Sequence, residues 1–309
     1  MPTTEIVSSS ATRFVALDVP RQSLVGGAVD AGQPVVLTPR RLSFEAFDEW
    51  APPHLTQADA VVLEATSHAW LLDDQFQPLA AEVVVAHPQA VKRIAAARVK
   101  TEKRDTINLA SLLAANLIPA VWVPPQEVRK LRALVTHRNR LVQQRTQAAN
   151  RLHSVLHRHN LAPPPALPFA VHQREWWWTL DLPLAEKLRV KQAMRLYQTL
   201  ATLIQESDAE LGRLSTCDPW VNQVPFLVPL PGLGVLSALR ILAAIGELTR
   251  FPSAKHLVGY AGLGESRHQS GETDRGGRIT KEGRSDLRGV MGEAAWVAVE
   301  HPPQRISPG

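Results

Sequence analysis

The chain has 309 residues, which is enough for two or three compact units that each bury a core. Hydrophobic residues make up 45% and charged residues 20%, a composition that excludes a disordered chain. Lysines and arginines number 34 against 29 acids, and the net charge of +5 favours polyanionic partners. The single cysteine, Cys217, excludes an internal disulfide and a thiolate metal cluster, as expected in a reducing compartment.

The N-terminal residues MPTTEIVSSSATR lack the apolar core of a signal peptide. The sequence also contains no apolar run of about 18 residues, the length needed to span a membrane. We therefore expect a cytoplasmic protein without a membrane segment, with access to the nucleoid in a bacterium.

Three β-rich runs open the chain, RFVALDV (13–19), SLVGGAV (23–29) and QPVVLT (33–38). They lie so close together that only tight turns can join them, at Pro20-Arg21 and at residues 30–32. The spacing predicts an antiparallel meander.

Helices and strands then alternate. Ser43 is placed to cap a helix through Trp50, and DAVVLEAT (59–66) has the composition of a buried strand. The remaining predicted elements are a helix from His68, a strand AEVVVAHP (81–88), the basic helical stretch QAVKRIAAARVK (89–100), the helix RDTINLASLLAANL (104–117) and the closing segment AVWVPP (120–125). Three antiparallel strands followed by α-β-α-β-α is the order of an RNase H-like α/β domain. The dinucleotide-binding fold is disfavoured because GxGxxG does not follow the first strand.

The middle of the chain reads as two long helices, Glu127 to His159 and Leu184 to Ser215, joined by a proline-rich bend. Apolar residues recur every three or four positions, which predicts a helical hairpin or coiled coil. Residues 126–160 contain eight Lys or Arg and one acid, so this segment is the expected phosphate-contacting surface. Its candidate contacts are Arg129, Lys130, Arg138, Arg140, Arg145 and Arg151. Three tryptophans, 176–178, follow the bend, and they either stack on bases or pack the bend.

A mainly helical C-terminal part begins near Trp220. The turn at Gly232 and Gly234 resembles a helix-hairpin-helix, whose backbone amides hold a phosphate; the alternative is a plain tight turn between packed helices. HQSGETDRGGRITKEG (268–283) is expected to be a loop or small hairpin before a last helix, Ser285 to Glu300. We predict three domains: a catalytic domain (1–125), a basic helical hairpin or coiled coil (126–215) and a C-terminal domain (216–309).

Four acids are candidates for a metal site. Asp18 is expected at the end or in the middle of the first strand and Glu64 at the end of VVLE in a later strand, and in an RNase H-like sheet those two strands are neighbours. Glu102 and Asp105 are three apart, so a helix places them on one face. Converging carboxylates are the ligands of Mg²⁺ (or Mn²⁺) in two-metal phosphoryl transfer. Any one of these acids alone is typical of a solvated or capping residue, so the prediction depends on the four together.

Ser270 is the candidate nucleophile of the C-terminal part. The cations Arg275, Arg278, Lys281 and Arg288 follow it and would stabilise a phosphorane formed by its attack on phosphorus. From the local sequence alone, a turn serine in a flexible loop is the competing interpretation.

Several blocks together resemble the DEDD transposases of the insertion-sequence 110 family. They are FVALDV, VVLEAT, AHPQAVKRIAAARVKTEKRDTINLA, LVPLPGLGVLSALRILAAIGELTRFPSAKHLVGYAGL, and HQSG with the downstream GRITKEGRSDLR. The resemblance covers nearly the whole chain and keeps both order and spacing.

The resemblance implies a RuvC-like N-terminal domain, a coiled-coil linker and a C-terminal transposase domain. It also implies a homodimer or homotetramer that recombines DNA with Mg²⁺ and a structured guide (bridge) RNA. Carried over by position, Asp18, Glu64, Glu102 and Asp105 fall on the metal-binding acids, and Ser270 falls on a serine that forms a covalent link to DNA.

Two departures from the family pattern define the alternatives. Glu102 stands where the family usually has Asp, and the added methylene moves the carboxylate by about 1.5 Å. The chain also ends at HPPQRISPG, where relatives commonly continue, as expected of a truncated or decaying copy. The competing functions are a RuvC-like nuclease with a water nucleophile and an inactive nucleic-acid-binding relic.

Overall fold

The computed structural model describes residues 11–19, 23–94, 101–164, 168–270 and 273–301. The side chains of Val171, of residues 267–270 and of residues 273–275 lie outside that description. The chain divides into two compact units, Met1–Val123 and Pro124–Gly309. The predicted division into three domains stays a prediction.

The first unit is a mixed five-stranded sheet with helices. Its strands are β1 (Arg13–Asp18), β2 (Leu24–Asp30), β3 (Val35–Leu42), β4 (Asp59–Glu64) and β5 (Glu82–Ala86), in the spatial order β3-β2-β1-β4-β5. Its helices are α1 (Phe44–His54), α2 (Ala69–Phe76), α3 (Pro88–Ile94) and α4 (Glu102–Ala114). The first three strands pair antiparallel, and β4 and β5 run parallel to β1. Both the predicted meander and the predicted pairing of the first strand with the DAVVLE strand are confirmed.

Alternate residues of β1, β4 and β5 fill two cores, one on each face of the sheet. Val15 and Leu17 face one core, where Phe47 and Phe76 bring in α1 and α2. Their neighbours along the strand face the other core, which contains α3 and α4. This period of two explains why the strands read as continuous apolar runs in the sequence.

A glycine lets α4 pack closely on β2. A Cβ added at Gly27 would lie 3.3 Å from both the Thr106 and the Ile107 side chains of α4. Thr106 is fully buried, and its hydroxyl donates to the Glu102 carbonyl at 2.8 Å. Close packing at Gly27 thus fixes the first turn of α4 against the sheet.

Two long antiparallel-packed helices open the second unit, α5 (Gln126–Arg158) and α7 (Leu184–Ser215). Leu141 of α5 packs with Leu200 and Ile204 of α7. The short helix α6 (Arg174–Thr179) lies at the bend; Trp177 is buried and donates its ring N–H to the Pro168 carbonyl at 2.7 Å, whereas Trp178 is 48% exposed. Packing of the bend is therefore confirmed for the middle tryptophan.

The remaining elements of this unit are α8 (Val224–Leu227), α9 (Val235–Ile245), α10 (Ala254–Ala261), β6 (Glu265–Ser270), β7 (Thr273–Ile279) and α11 (Ser285–Glu300). Helices α9, α10 and α11 share one apolar core with the turn residue Leu233. Strands β6 and β7 form the small hairpin expected from the sequence. Across the described ranges, no helix combines the length and apolar content that crossing a bilayer requires.

One local expectation changes. Helix α1 runs on to His54 instead of ending at Trp50, because the Leu55 N–H bonds to the Ala51 carbonyl at 2.8 Å and closes one more turn. Ser43 caps it as predicted, accepting from the Ala46 N–H at 3.1 Å. The predicted turn at Pro20-Arg21 and the basic stretch at residues 95–100 lie outside the described residues.

Candidate active site and nucleic-acid interface

Asp18 and Glu64 end two neighbouring parallel strands. The register pairs Leu17 of β1 with Leu63 of β4, so the two acids that follow lie side by side at the carboxyl edge of the sheet. Both are half-buried, because the strand residues before them lie in the core and the strands end near the surface. Their proximity follows from the parallel pairing.

Glu102 and Asp105 occupy the first turn of α4. The Thr101 side chain caps this helix by accepting from the Arg104 N–H at 3.3 Å. Carboxylates in the first turn of a helix are favoured by its dipole, which offsets part of the cost of gathering negative charge here.

The other three acids lie close enough to Asp18 to affect its ionisation. Burial raises the pKa of Asp18, and the negative charges of Glu64, Glu102 and Asp105 raise it further. Partial desolvation and like charges both disfavour the ionised carboxylate. Asp18 therefore feels the negative charge of each of the other three predicted acids.

One cavity of about 130 Å³ joins three of these acids to residues that the sequence did not single out. Asp18, Glu64 and Asp105 line it together with Lys92 of α3 and Asn108 of α4. Asn108 is three residues beyond Asp105, so it shares that face of α4. The cavity thus combines carboxylates with one ammonium and one amide.

Glu102 has a partner outside this cavity. Its carboxylate accepts a hydrogen bond from the Arg41 guanidinium, which reaches it from β3. Both side chains are exposed, so water screens the pair and its contribution to stability is small.

The donor chemistry of the cluster fits a hard divalent cation. Carboxylate and amide oxygens are the protein ligands that Mg²⁺ and Mn²⁺ prefer. Within the described ranges, however, no three His, Cys, Asp or Glu side chains stand close enough together to hold an ion. The residue types therefore suit a metal site, but the side chains do not form a closed ligand set.

The cations of α5 differ in what they contact. Lys130 pairs with Glu127 at 2.8 Å, and Arg138 pairs with Asp208 of α7 at 2.8 Å. Arg140 and Arg151 are exposed, and Arg145 is half-buried. Arg129 is half-buried too and has contacts of its own. The most accessible positive charge of the predicted surface therefore lies at Arg140 and Arg151.

The two glycines of the Gly232-Leu233-Gly234 turn have different environments. Gly232 adopts a φ of +76°, and a Cβ there would lie 2.9 Å from the Ala294 Cα of α11. Gly234 precedes α9 with nothing within 4 Å of the corresponding position. Packing against α11 explains why residue 232 is a glycine. At Gly234, the space in front of the α9 N-terminus is open.

Ser270 lies at the end of β6, where its backbone pairs with Thr273 of β7. The sequence left a loop and a small hairpin open for this segment, and the structure shows the hairpin, with Ser270 at the end of its first strand. Its side chain and that of Arg275 lie outside the described residues. Arg278 and Lys281 are exposed, whereas Arg288 donates to the Ala261 carbonyl at 2.9 Å and ties α11 to α10.

Two family models match this chain. The model for DEDD transposases of IS110 type, described as "Transposase", matches residues 19–161. A second model, described as "Transposase IS116/IS110/IS902 family", matches residues 225–307. The chain belongs to the IS110 family of transposases.

Relatives of this IS110-family chain carry related names. It is 28% identical to the putative transposase y4qE of Sinorhizobium fredii, over 72% of this chain and 54% of that protein. It is 27% identical to the pilin gene-inverting protein of Moraxella bovis, over 63% of this chain and 52% of that one. It is also 26% identical to a probable family 20 transposase of Pseudomonas aeruginosa, over 92% and 83%. The chain spans about half the length of the first two of these relatives.

Sequence reasoning predicted the four acids of the cluster but missed Lys92, Asn108 and Arg41. A helical wheel of α4 would have placed Asn108 beside Asp105. Lys92 and Arg41 belong to other elements, and only the packing of α3 and β3 brings them to the cluster.

Proposed function

We propose that this chain is a DNA transposase that cleaves and exchanges strands of an insertion sequence. The observation that carries the proposal is the cavity at the carboxyl edge of the sheet that Asp18, Glu64 and Asp105 line together. Its position between strand ends and a helix N-terminus is solvent-accessible, so a phosphodiester can reach it. Membership of a transposase family supports this reading, and the sheet order β3-β2-β1-β4-β5 is the order we expect of a RuvC-like, RNase H-like domain.

Asp18, Glu64, Glu102 and Asp105 are the residues that would hold Mg²⁺ or Mn²⁺. When bound, the cation would supply positive charge against the negative charge that develops on the phosphate during transfer. The chain's own part is to gather the carboxylates on two strand ends and one helix turn. Lys92 would bind a non-bridging phosphate oxygen, and the Asn108 amide would orient the same group.

Ser270 is the proposed nucleophile. Its hydroxyl oxygen would form a new bond to phosphorus while the bond from phosphorus to the leaving sugar oxygen breaks. The hydroxyl proton passes to water, and the leaving sugar oxygen takes up a proton from water. Arg278 and Lys281, both exposed near the hairpin, would offset the charge on the phosphorane.

The proposed partners are DNA, a bridge RNA and further copies of this chain as a homodimer or homotetramer. The exposed cations of α5, together with the backbone amides after Gly234, would contact phosphates without reading sequence. The similarity to a pilin gene-inverting protein supports rearrangement of DNA over simple hydrolysis.

A denaturing gel tests the nucleophile. The protein is incubated with Mg²⁺, the RNA flanking its element and a labelled DNA carrying the element junction. We expect a covalent protein–DNA adduct that is lost in Ser270→Ala and kept in Ser253→Ala, a serine outside the hairpin. Nicked DNA without an adduct, in the parent protein and in Ser270→Ala alike, would identify a nuclease with a water nucleophile. Binding without any cleavage would identify an inactive relic.

A further inference from the structure

A second cavity, of about 350 Å³, lies between the long helices α5 and α7. It is lined by Arg151, Val155, Arg189, Gln192, Ala193 and Leu196. The cavity is distinct from the acid cluster and belongs wholly to the second unit. Nothing in the proposed chemistry of Ser270 or of the acids uses it.

The rim of this groove carries unbalanced positive charge. Glu186 is the shared partner of Arg158, at 3.1 Å, and Arg189, at 2.9 Å. Arg151 makes no hydrogen bond or ion pair with any residue that the structure describes. Arg151 and Arg189 line the groove, and together with the neighbouring Arg158 they outnumber the one carboxylate of Glu186 by two positive charges, which complements two phosphates of a polyanion.

The floor of the groove is apolar. Val155 is buried in the core at the bend, and Ala193 packs partly against the same core. Leu196 is 41% exposed, an unusual state for a leucine on the inner side of a helical hairpin. The exposed Gln192 amide, which can both donate and accept hydrogen bonds, lies among these apolar groups.

We propose that this groove binds one or two unpaired nucleotides of a nucleic-acid strand. The apolar floor suits the flat face of a base, the arginines suit its flanking phosphates, and Gln192 suits its polar edge. A duplex hides its base faces by stacking and would meet only the charged rim. The inference rests on the proposed work on nucleic acid and adds an unpaired segment as the ligand of this site.

Fluorescence anisotropy with labelled oligonucleotides tests the site in the full chain. The probes are a 12-nucleotide single-stranded RNA, the matching DNA strand and the matching duplex DNA. The double variant Arg151→Ala/Arg189→Ala is expected to lose on the order of tenfold in affinity for the single strands. Its slope of log affinity against log salt, which is negative, should become shallower by about 1.4, or about 0.7 for each phosphate contact removed.

Two further variants separate the groove from general charge. Lys191→Ala removes the same kind of charge from α7, but Lys191 lies about 200° around the helix from Arg189, so it should bind within about twofold of the parent protein. Leu196→Gln makes the floor polar at an exposed position and should weaken single-strand binding while leaving duplex binding unchanged.

The possible results differ in what they overturn. Equal losses in the double variant and in Lys191→Ala would overturn the groove and leave the proposed function intact. Parallel losses for single strand and duplex in Leu196→Gln would overturn the base-binding role. A parent protein that binds none of the three probes would overturn both the groove and the proposed function. Stronger binding of the RNA than of the matching DNA strand would support the groove and identify RNA as its source of unpaired nucleotides.

Discussion

The surroundings of Asp18 disfavour the negative charge of its carboxylate. Burial and three neighbouring acids raise its pKa, so the folded state binds its proton more tightly than the unfolded state does. Ionised Asp18 therefore lowers the free energy of unfolding at pH values above the raised pKa. This destabilisation is lost as pH falls through that pKa. The arrangement is typical of a functional site that sacrifices some stability.

Asp18→Asn is therefore expected to stabilise the metal-free protein. In EDTA at about pH 7, we predict a melting temperature higher by about 1 to 3 °C, a small value because water screens a half-exposed charge. The difference should shrink in acid, where Asp18 is protonated in both states. Thermal unfolding followed by circular dichroism measures it, and a less stable variant would contradict the repulsion.

Lys92 is the cation that lines the acid cavity, and it tests that cavity from a different residue. Lys92→Ala should slow strand cleavage about 10- to 100-fold at saturating DNA, since one charged contact to the phosphate is lost. Lys92→Arg should recover part of the rate. Arg93→Ala, the adjacent exposed position, is the matched control, and equal slowing in Arg93→Ala would remove the specific role of Lys92.

At the scale of elements, the turn before α9 offers two glycines with opposite requirements. Gly232→Ala should cost about 1 to 3 kcal/mol, because its φ of +76° is strained for alanine and its Cβ would meet Ala294 of α11. Gly234→Ala should cost less than about 1 kcal/mol, since its position is open. Chemical denaturation measures both, and similar costs would contradict the assigned packing.

The same pair also tests phosphate binding at this turn. If backbone amides in front of α9 contact a phosphate, Gly234→Ala should weaken DNA binding by more than its effect on stability explains. If Gly234→Ala is fully stable and binds DNA like the parent, the turn does not bind phosphate and serves only as a tight turn between packed helices.

Local sequence patterns were sufficient for the elements but not for every contact between them. The apolar runs of β1 and β4 identify buried strands, and their parallel pairing puts Asp18 beside Glu64 as expected. The period of α4 places Glu102 and Asp105 together. The approach of Arg41 and Lys92 depends instead on how β3 and α3 pack, and no local period encodes that distance. At Ser270 the sequence could not decide between a loop and a small hairpin, because glycines and charged residues suit both.

At the scale of the whole molecule, charge should govern affinity for DNA. Ion pairs already occupy Lys130 and Arg138, so fewer α5 cations are available than the sequence suggests. With the exposed cations of α5 and the hairpin, we predict a slope of log affinity against log salt between about −3 and −5 for duplex DNA. Titrations at several salt concentrations measure it, and a slope near zero would exclude phosphate contacts as the main source of affinity.

The central claim is that DNA cleavage requires the acids at the carboxyl edge of the sheet. The cleavage assay on Asp18→Asn tests this claim most directly. Binding and Mg²⁺-dependent cleavage of the element-junction DNA are measured together for the parent protein, Asp18→Asn and the control Glu49→Gln, an exposed acid of α1. We predict that Asp18→Asn binds DNA as tightly as the parent and cuts it at less than about one hundredth of the rate, while Glu49→Gln does both normally. Cleavage by Asp18→Asn at the parental rate would contradict the account.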